Sequence, residues 1–144
     1  MMIDRAGIAR LVPHAGAMCL LDGVTEWSAT SIACASALPA AGHPLGCNDR
    51  VSAIAAVEYA AQATAVHGAL LERNDRPRAG MLARLMDVRL SAASVPLAGD
   101  GLTIRADLLS RSAGGCMYSF EVSVDKAPLA SGRLMVALLP ENAT

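Results

Sequence analysis

The sequence predicts an α+β fold in which one long buried helix is wrapped by an antiparallel sheet of about five strands. Three observations predict it. Residues 51–73 are rich in Ala with Leu, Gln and Glu, and carry apolar side chains all round the helical wheel. Residues 103–108 and 118–124 alternate between apolar and polar, the period of a half-buried strand. The connections after the helix are short, which suits antiparallel hairpins and leaves no room for parallel crossovers.

Taken in chain order, Asp4 is placed to cap a short helix running to about Leu11, which Pro13 ends. Residues 17–38 read as extended, broken by a turn at Asp22-Gly23. From Val24 to Leu38, Thr25, Trp27, Thr30 and Ile32 suit one long, half-exposed strand. Residues 39–50 hold two Pro, two Gly and the pair Asn48-Asp49, and form a loop. The central helix follows, with Asp49 or Ser52 as its cap and Asn74-Asp75-Arg76-Pro77 as its stop. At ~23 residues it would run about 34 Å. Candidate strands are Gly80 to Leu90, Leu102 to Ser112, Cys116 to Val124 and Leu129 to Leu139. Ser112-Ala113-Gly114-Gly115 and Val124-Asp125-Lys126-Ala127 read as hairpin turns.

The 144 residues suit a single domain spanning 1–144. Hydrophobic residues make up 53% and charged residues 17%, a globular balance. Aromatics are only 3%, so the core must be aliphatic, and base stacking on single-stranded nucleic acid has no platforms. The net charge of −1 supplies no field for DNA or anionic lipid, although eleven of the twelve basic residues are Arg and a local anion patch stays open. Cys19, Cys34, Cys47 and Cys116 form no CxxC pair and read as reduced thiols. The N-terminus lacks a basic signal-peptide start, and no stretch approaches a membrane span; a cytoplasmic location without membrane partners is expected.

Against this background a few polar residues stand out. Glu58 and Gln62 lie four apart in the most apolar helix and share a face. A carboxylate there is either exposed, paired with an Arg, or set in a low-dielectric cleft where it can hold a proton near neutral pH. His67 lies nine residues from Glu58, on the opposite side, and reads as an exposed or satisfied surface histidine. His43 sits 15 residues before Glu58 in the loop, among Gly42, Pro44 and Gly46, either as an ordinary loop histidine or as a base at the helix mouth. The helix start at Ala53-Ile54 offers N–H groups that can hold an oxyanion. His14 reads as a structural or substrate-loop residue. Imidazole, carboxyl and oxyanion donors together suit removal of a proton beside a carbonyl while a leaving group is protonated. GxSxG, HExxH, Walker A and GxGxxG are absent, and His43 with Cys47 makes only a weak metal pair, so no metal is expected.

Four blocks and a fifth shorter one now point to a family. Residues 11–22, LVPHAGAMCLLD, are similar to an "LPHRxPMLLLD" segment; His43-Pro44-Leu45-Gly46 stands where an "HFPG" loop belongs. Glu58-Tyr59-Ala60-Ala61-Gln62 is similar to "ExMAQ", residues 80–89 to "GxLxxxxxVRF", and Ala130-Ser131-Gly132-Arg133-Leu134 to "ASGxL". The chain thus resembles the hotdog-fold 3-hydroxyacyl-(acyl-carrier-protein) dehydratases, most closely the branch of aryl-polyene pigment clusters. The resemblance implies a hotdog fold and a dimer whose sheets join edge to edge, either a homodimer or a heterodimer with a homologous dehydratase. It implies His43 as the base at C2 of a 3-hydroxyacyl thioester and Glu58 of the other subunit as proton donor to the departing 3-hydroxyl. Gln62 would orient Glu58, and the N–H groups at Ala53 and Ile54 would receive the thioester oxygen. The substrate would ride on phosphopantetheine of an acyl carrier protein, received by Arg50, Arg76, Arg78 or Arg84, with no cofactor. Val51-Ser52-Ala53 replaces the family's "MPG", Pro44 replaces Phe, and the His-to-Glu spacing is one residue longer. These departures suit a different substrate or a weakly active partner subunit. A hotdog acyl thioesterase, with Glu58 activating water, is the alternative.

Overall fold

The computed structural model describes residues 2–12, 19–39, 43–47, 50–72, 80–96 and 98–138. His14, Asp49, Arg76, Arg78 and the expected stops at Pro13 and Pro77 lie outside them. Strand β1 (Ile3–Asp4) leads into helix α1 (Arg5–Leu11), where the Asp4 carboxylate accepts the Gly7 N–H at 2.8 Å as an N-cap. The single long strand expected after it is two: β2 (Gly23–Trp27) and β3 (Ser31–Ser36). Ser28 and Ser31 turn the chain there, the Ser28 N–H donating to the Ser31 carbonyl at 2.8 Å, a serine turn without Gly or Pro to announce it. A small hairpin of β4 (Gly46–Cys47) and β5 (Arg50–Val51) precedes one 3-10 turn, Ala53–Ala55, and then the central helix α2 (Ala56–Glu72). Helix α2 is shorter than expected because residues 50–51 pair as strand and Ser52 caps the 3-10 turn. Its 17 residues span about 25 Å.

Strands β6 (Gly80–Leu90), β7 (Leu102–Ser112), β8 (Gly115–Val124) and β9 (Ala127–Leu138) complete a seven-stranded antiparallel sheet in the order β1-β2-β3-β7-β8-β9-β6. The β8–β9 hairpin turns at Asp125 and Lys126, both with positive φ (50° and 71°), so that the turn twists with its strands. In β9, Gly132 has φ 159°, and a Cβ there would come within 3.1 Å of the Met86 carbonyl and 3.2 Å of the Phe120 ring. This close approach is what the glycine of the "ASGxL" segment provides.

The core lies between α2 and the concave face of β3, β7, β8 and β9. Ile32 and Cys34 from β3, Leu102, Ile104 and Ala106 from β7, and Tyr118, Phe120 and Val122 from β8 pack on Tyr59, Ala60, Ala63 and Val66. The small alanines let the sheet close on the helix, and the alternation of β7 and β8 puts their apolar sides inward. Edge strand β6 is different. It pairs with β9 on one side and is exposed along almost all of its length, with Met81, Leu82, Leu85 and Leu90 uncovered. Among the described residues no helix is long and apolar enough to cross a membrane.

Candidate active site

His43 opens a tight turn in which the Gly46 N–H donates to the His43 carbonyl at 2.9 Å. Pro44 presets φ at the second position of this turn, and Gly46 leaves room for the His43 carbonyl, which a Cβ would meet at 3.1 Å. The turn points the imidazole back at α2. Its Nδ1 accepts the Leu45 N–H at 3.1 Å, and its Nε2 lies 3.0 Å from the Tyr59 hydroxyl. The two rings are nearly parallel, 22° apart, with centroids at 6.1 Å. Burial lowers the His43 pKa from 6.5, so the ring is neutral at pH 7. The Leu45 N–H acts in the same direction, because it bonds only the unprotonated nitrogen.

Tyr59 is 2% exposed. Burial raises its pKa; a hydrogen bond from Ser36 lowers it and the Asp22 charge raises it again. His43 and Tyr59 share a cavity of about 150 Å³ with Arg5, Cys19, Leu20, Asp22 and Ser36. The Arg5 guanidinium pairs with Asp22 at 3.0 Å and also bonds the Cys19 carbonyl.

Glu58 faces another cavity. Consecutive helical residues diverge by about 100°, so Glu58 and its neighbour Tyr59 look into different spaces. This second cavity, also about 150 Å³, follows α2 from Glu58 past Ala61, Ala65, Gly68 and Ala69 to Glu72. Met81, Leu82, Cys116, Tyr118, Val136 and Leu138 from the sheet form its opposite wall. The wall is largely apolar, and the far end carries Arg111, which lies 3.8 Å from Glu72. From Glu58 to Glu72 the helix rises about 21 Å, the reach of an extended acyl chain of a dozen or more carbons. Gln62 is 2% exposed; its amide donates to Glu58 Oε1 at 3.2 Å and its Oε1 accepts the Leu20 N–H at 2.9 Å.

The expected site residues are therefore divided. Gln62 and Glu58 are together, as their spacing on one face predicts. His43 and Glu58 are not united within one chain. Ala53 requires a correction as an oxyanion donor: its N–H already donates to the Ala93 carbonyl at 2.9 Å. That bond forms because Ser52 and Ser94 pair as a bridge beside it. The Ile54 N–H has only a long 3.4 Å bond to the Ser52 hydroxyl, and Ile54 is half exposed. His67 is not on the surface. It is fully buried, its Nε2–H donating to the Ser28 carbonyl at 2.8 Å and its Nδ1 lying 2.7 Å from the Tyr118 hydroxyl. Two neighbours of His43 in its cavity were not expected as site residues, Tyr59 and Ser36. The signal for Tyr59 was a phenol next to Glu58 in an otherwise apolar helix, since a buried hydroxyl needs a partner.

Comparison with known proteins agrees with this architecture. The dehydratase heterocomplex ApeI:P from Xenorhabdus doucetiae superposes with a TM-score of 0.83 at 26% identity, covering 93% of this chain and 91% of that one. AziG from S. sahachiroi gives a TM-score of 0.66 at 14% identity over 90% of this chain and 98% of that one. A hypothetical thioesterase with coenzyme A from Streptococcus pneumoniae gives 0.61 at 8% identity over 83% and 87%. The last two share the hotdog fold alone. No curated protein matches by sequence. The family model described as ApeP-like, ApeP dehydratase, matches residues 6–144. With a hotdog sheet around α2 and the family model matched over residues 6–144, the chain belongs to the ApeP-like dehydratases.

Proposed function

We propose that the chain is a hydro-lyase subunit that dehydrates 3-hydroxyacyl thioesters on acyl carrier protein to trans-2-enoyl thioesters, in fatty acid or aryl polyene-type biosynthesis. It works as a dimer with a homologous dehydratase, as the ApeI:P heterocomplex is named. The observation that carries this reading is the separation of His43 and Glu58 into two cavities of one chain, beside an uncovered apolar edge at β6. A bare, apolar strand edge is a surface that another chain covers. Two such subunits joined there make each site from one chain's imidazole and the other's carboxyl.

In that site His43 removes the C2 proton, which the adjacent thioester carbonyl acidifies. The electron pair left at C2 forms the new double bond, the C3–O bond breaks, and Glu58 of the other subunit protonates the departing hydroxyl to give water. Gln62 holds Glu58 in place, and the small residues of α2 leave a channel for the acyl chain. The Ile54 N–H receives the thioester oxygen, and no cofactor takes part. Arg50 and Arg84, both exposed, are candidates for the acidic carrier protein. The domain comprises the whole chain, 1–144, and works in the cytoplasm.

The test is incubation of the chain, alone and mixed with a homologous dehydratase, with a 3-hydroxyacyl carrier-protein conjugate. Loss of one water by intact-protein mass spectrometry is expected from the mixture. Release of free phosphopantetheine thiol instead would make the chain an acyl thioesterase.

A further inference from the structure

The hydrogen bonds behind His43 have a direction. A backbone N–H can only donate, so the Leu45 N–H fixes Nδ1 as the acceptor and leaves the ring proton on Nε2. The Tyr59 hydroxyl, 3.0 Å away, then accepts from His43 Nε2–H.

We infer that Tyr59 is the positioning residue of His43 and, with the Leu45 N–H, holds its ring at rest as the Nε2–H tautomer, a hydrogen-bond donor. This deepens the dehydratase reading and rests on it for one consequence: His43 becomes a base at Nε2 only when the ring leaves Tyr59 and Leu45 and changes tautomer. The charged groups that line the cavity, Arg5 from α1 and Asp22 ahead of β2, are paired with each other and leave little net field on the ring.

The test needs no substrate. In the full chain with ¹⁵N-labelled histidine, above pH 7.5, His43 is expected to show a protonated signal at Nε2 and an unprotonated one at Nδ1. Tyr59→Phe removes the acceptor that favours the charged ring, so the His43 titration midpoint is expected to fall by about half a pH unit or more, a threefold change in proton affinity. The slowly exchanging Nε2–H resonance is lost with it. Where Tyr59→Phe does not fold, the wild-type spectrum alone decides the tautomer. A proton found on Nδ1 in the wild type overturns the inference. So does a His43 titration that Tyr59→Phe does not move. Either result leaves the carrier-protein assay untouched, so the two readings fail separately.

Discussion

His67 and His43 are both imidazoles with lowered pKa values, and the difference between them lies in what surrounds each ring. His67 is closed in by its own chain. Burial lowers its pKa from 6.5, the Ser28 carbonyl partly opposes this, and the Arg111 charge lowers it further. The folded state thus binds a proton less readily than the unfolded one. The stability that neutral His67 contributes is full above about pH 6.5 and is lost as pH falls from there through the lower folded value. Chemical denaturation of the wild type is expected to show a fall in midpoint between pH 7 and 5 that is much reduced in His67→Gln. His67→Ala, which strands the Ser28 carbonyl and the Tyr118 hydroxyl, should cost about 2–4 kcal/mol at pH 7.5. His43 and Glu58 behave oppositely. His43→Ala and Glu58→Ala are expected to leave the melting temperature within a few degrees and to cut dehydration by about 10²–10⁴-fold. Wild-type turnover in either variant contradicts their assignment. The contrast explains what could be read from residues alone. Glu58 and Gln62 are legible because helical spacing puts them on one face. His67 is not, because its partners lie 51 and 39 residues away in sequence, and only the closed sheet brings them near.

At the scale of elements, α2 carries a line of small residues along the cavity that begins at Glu58. Gly68 is the most instructive of them. It lines the cavity, and a Cβ built on it meets nothing within 4 Å. A side chain there can enter the channel without displacing the core, and replacing a mid-helix glycine gains about 1 kcal/mol of helix propensity. Gly68→Leu is therefore expected to keep or raise the melting temperature while lowering kcat/KM for long acyl substrates by tenfold or more, with short ones spared. Equal loss for every chain length would show that the cavity does not hold the acyl group. Strands were read well where local chemistry speaks. Gly80–Leu90 and Leu102–Ser112 have the bounds their patterns predict, and both later hairpins turn within the expected segments, at Ala113-Gly114 and Asp125-Lys126. The break at Ser28–Thr30 was not legible, because a serine turn between β-prone residues leaves the propensity of the segment unchanged. The seven strands thus exceed the about five expected, through this split and the two-residue β1, too short for any pattern.

The whole molecule is best understood from the strand it leaves bare. On β6, Leu85 and Leu90 are 39% and 43% exposed, although a sheet edge in a solitary protein is normally guarded by charge or covered. Leu85→Glu is expected to abolish association with the partner by light scattering and to abolish dehydration with it, while circular dichroism stays unchanged. A mixed dimer carrying His43→Ala in one chain and Glu58→Ala in the other should keep one working centre of the two, because one imidazole and the opposite chain's carboxyl remain intact together. Rates near half of wild type are the expected reading, and complete loss would put both groups of a centre on one chain. The edge itself was visible in the sequence as a strand, but its exposure was not, since apolar side chains meant for a neighbour look the same as those meant for a core.

Leu20 gives the arrangement a further property. Its carbonyl accepts from Ser36 in the wall of the His43 cavity, and its N–H donates to Gln62, which in turn holds Glu58. A shift of this one stretch of main chain therefore disturbs the wall beside the imidazole and the clamp on the carboxyl together, although it touches neither group.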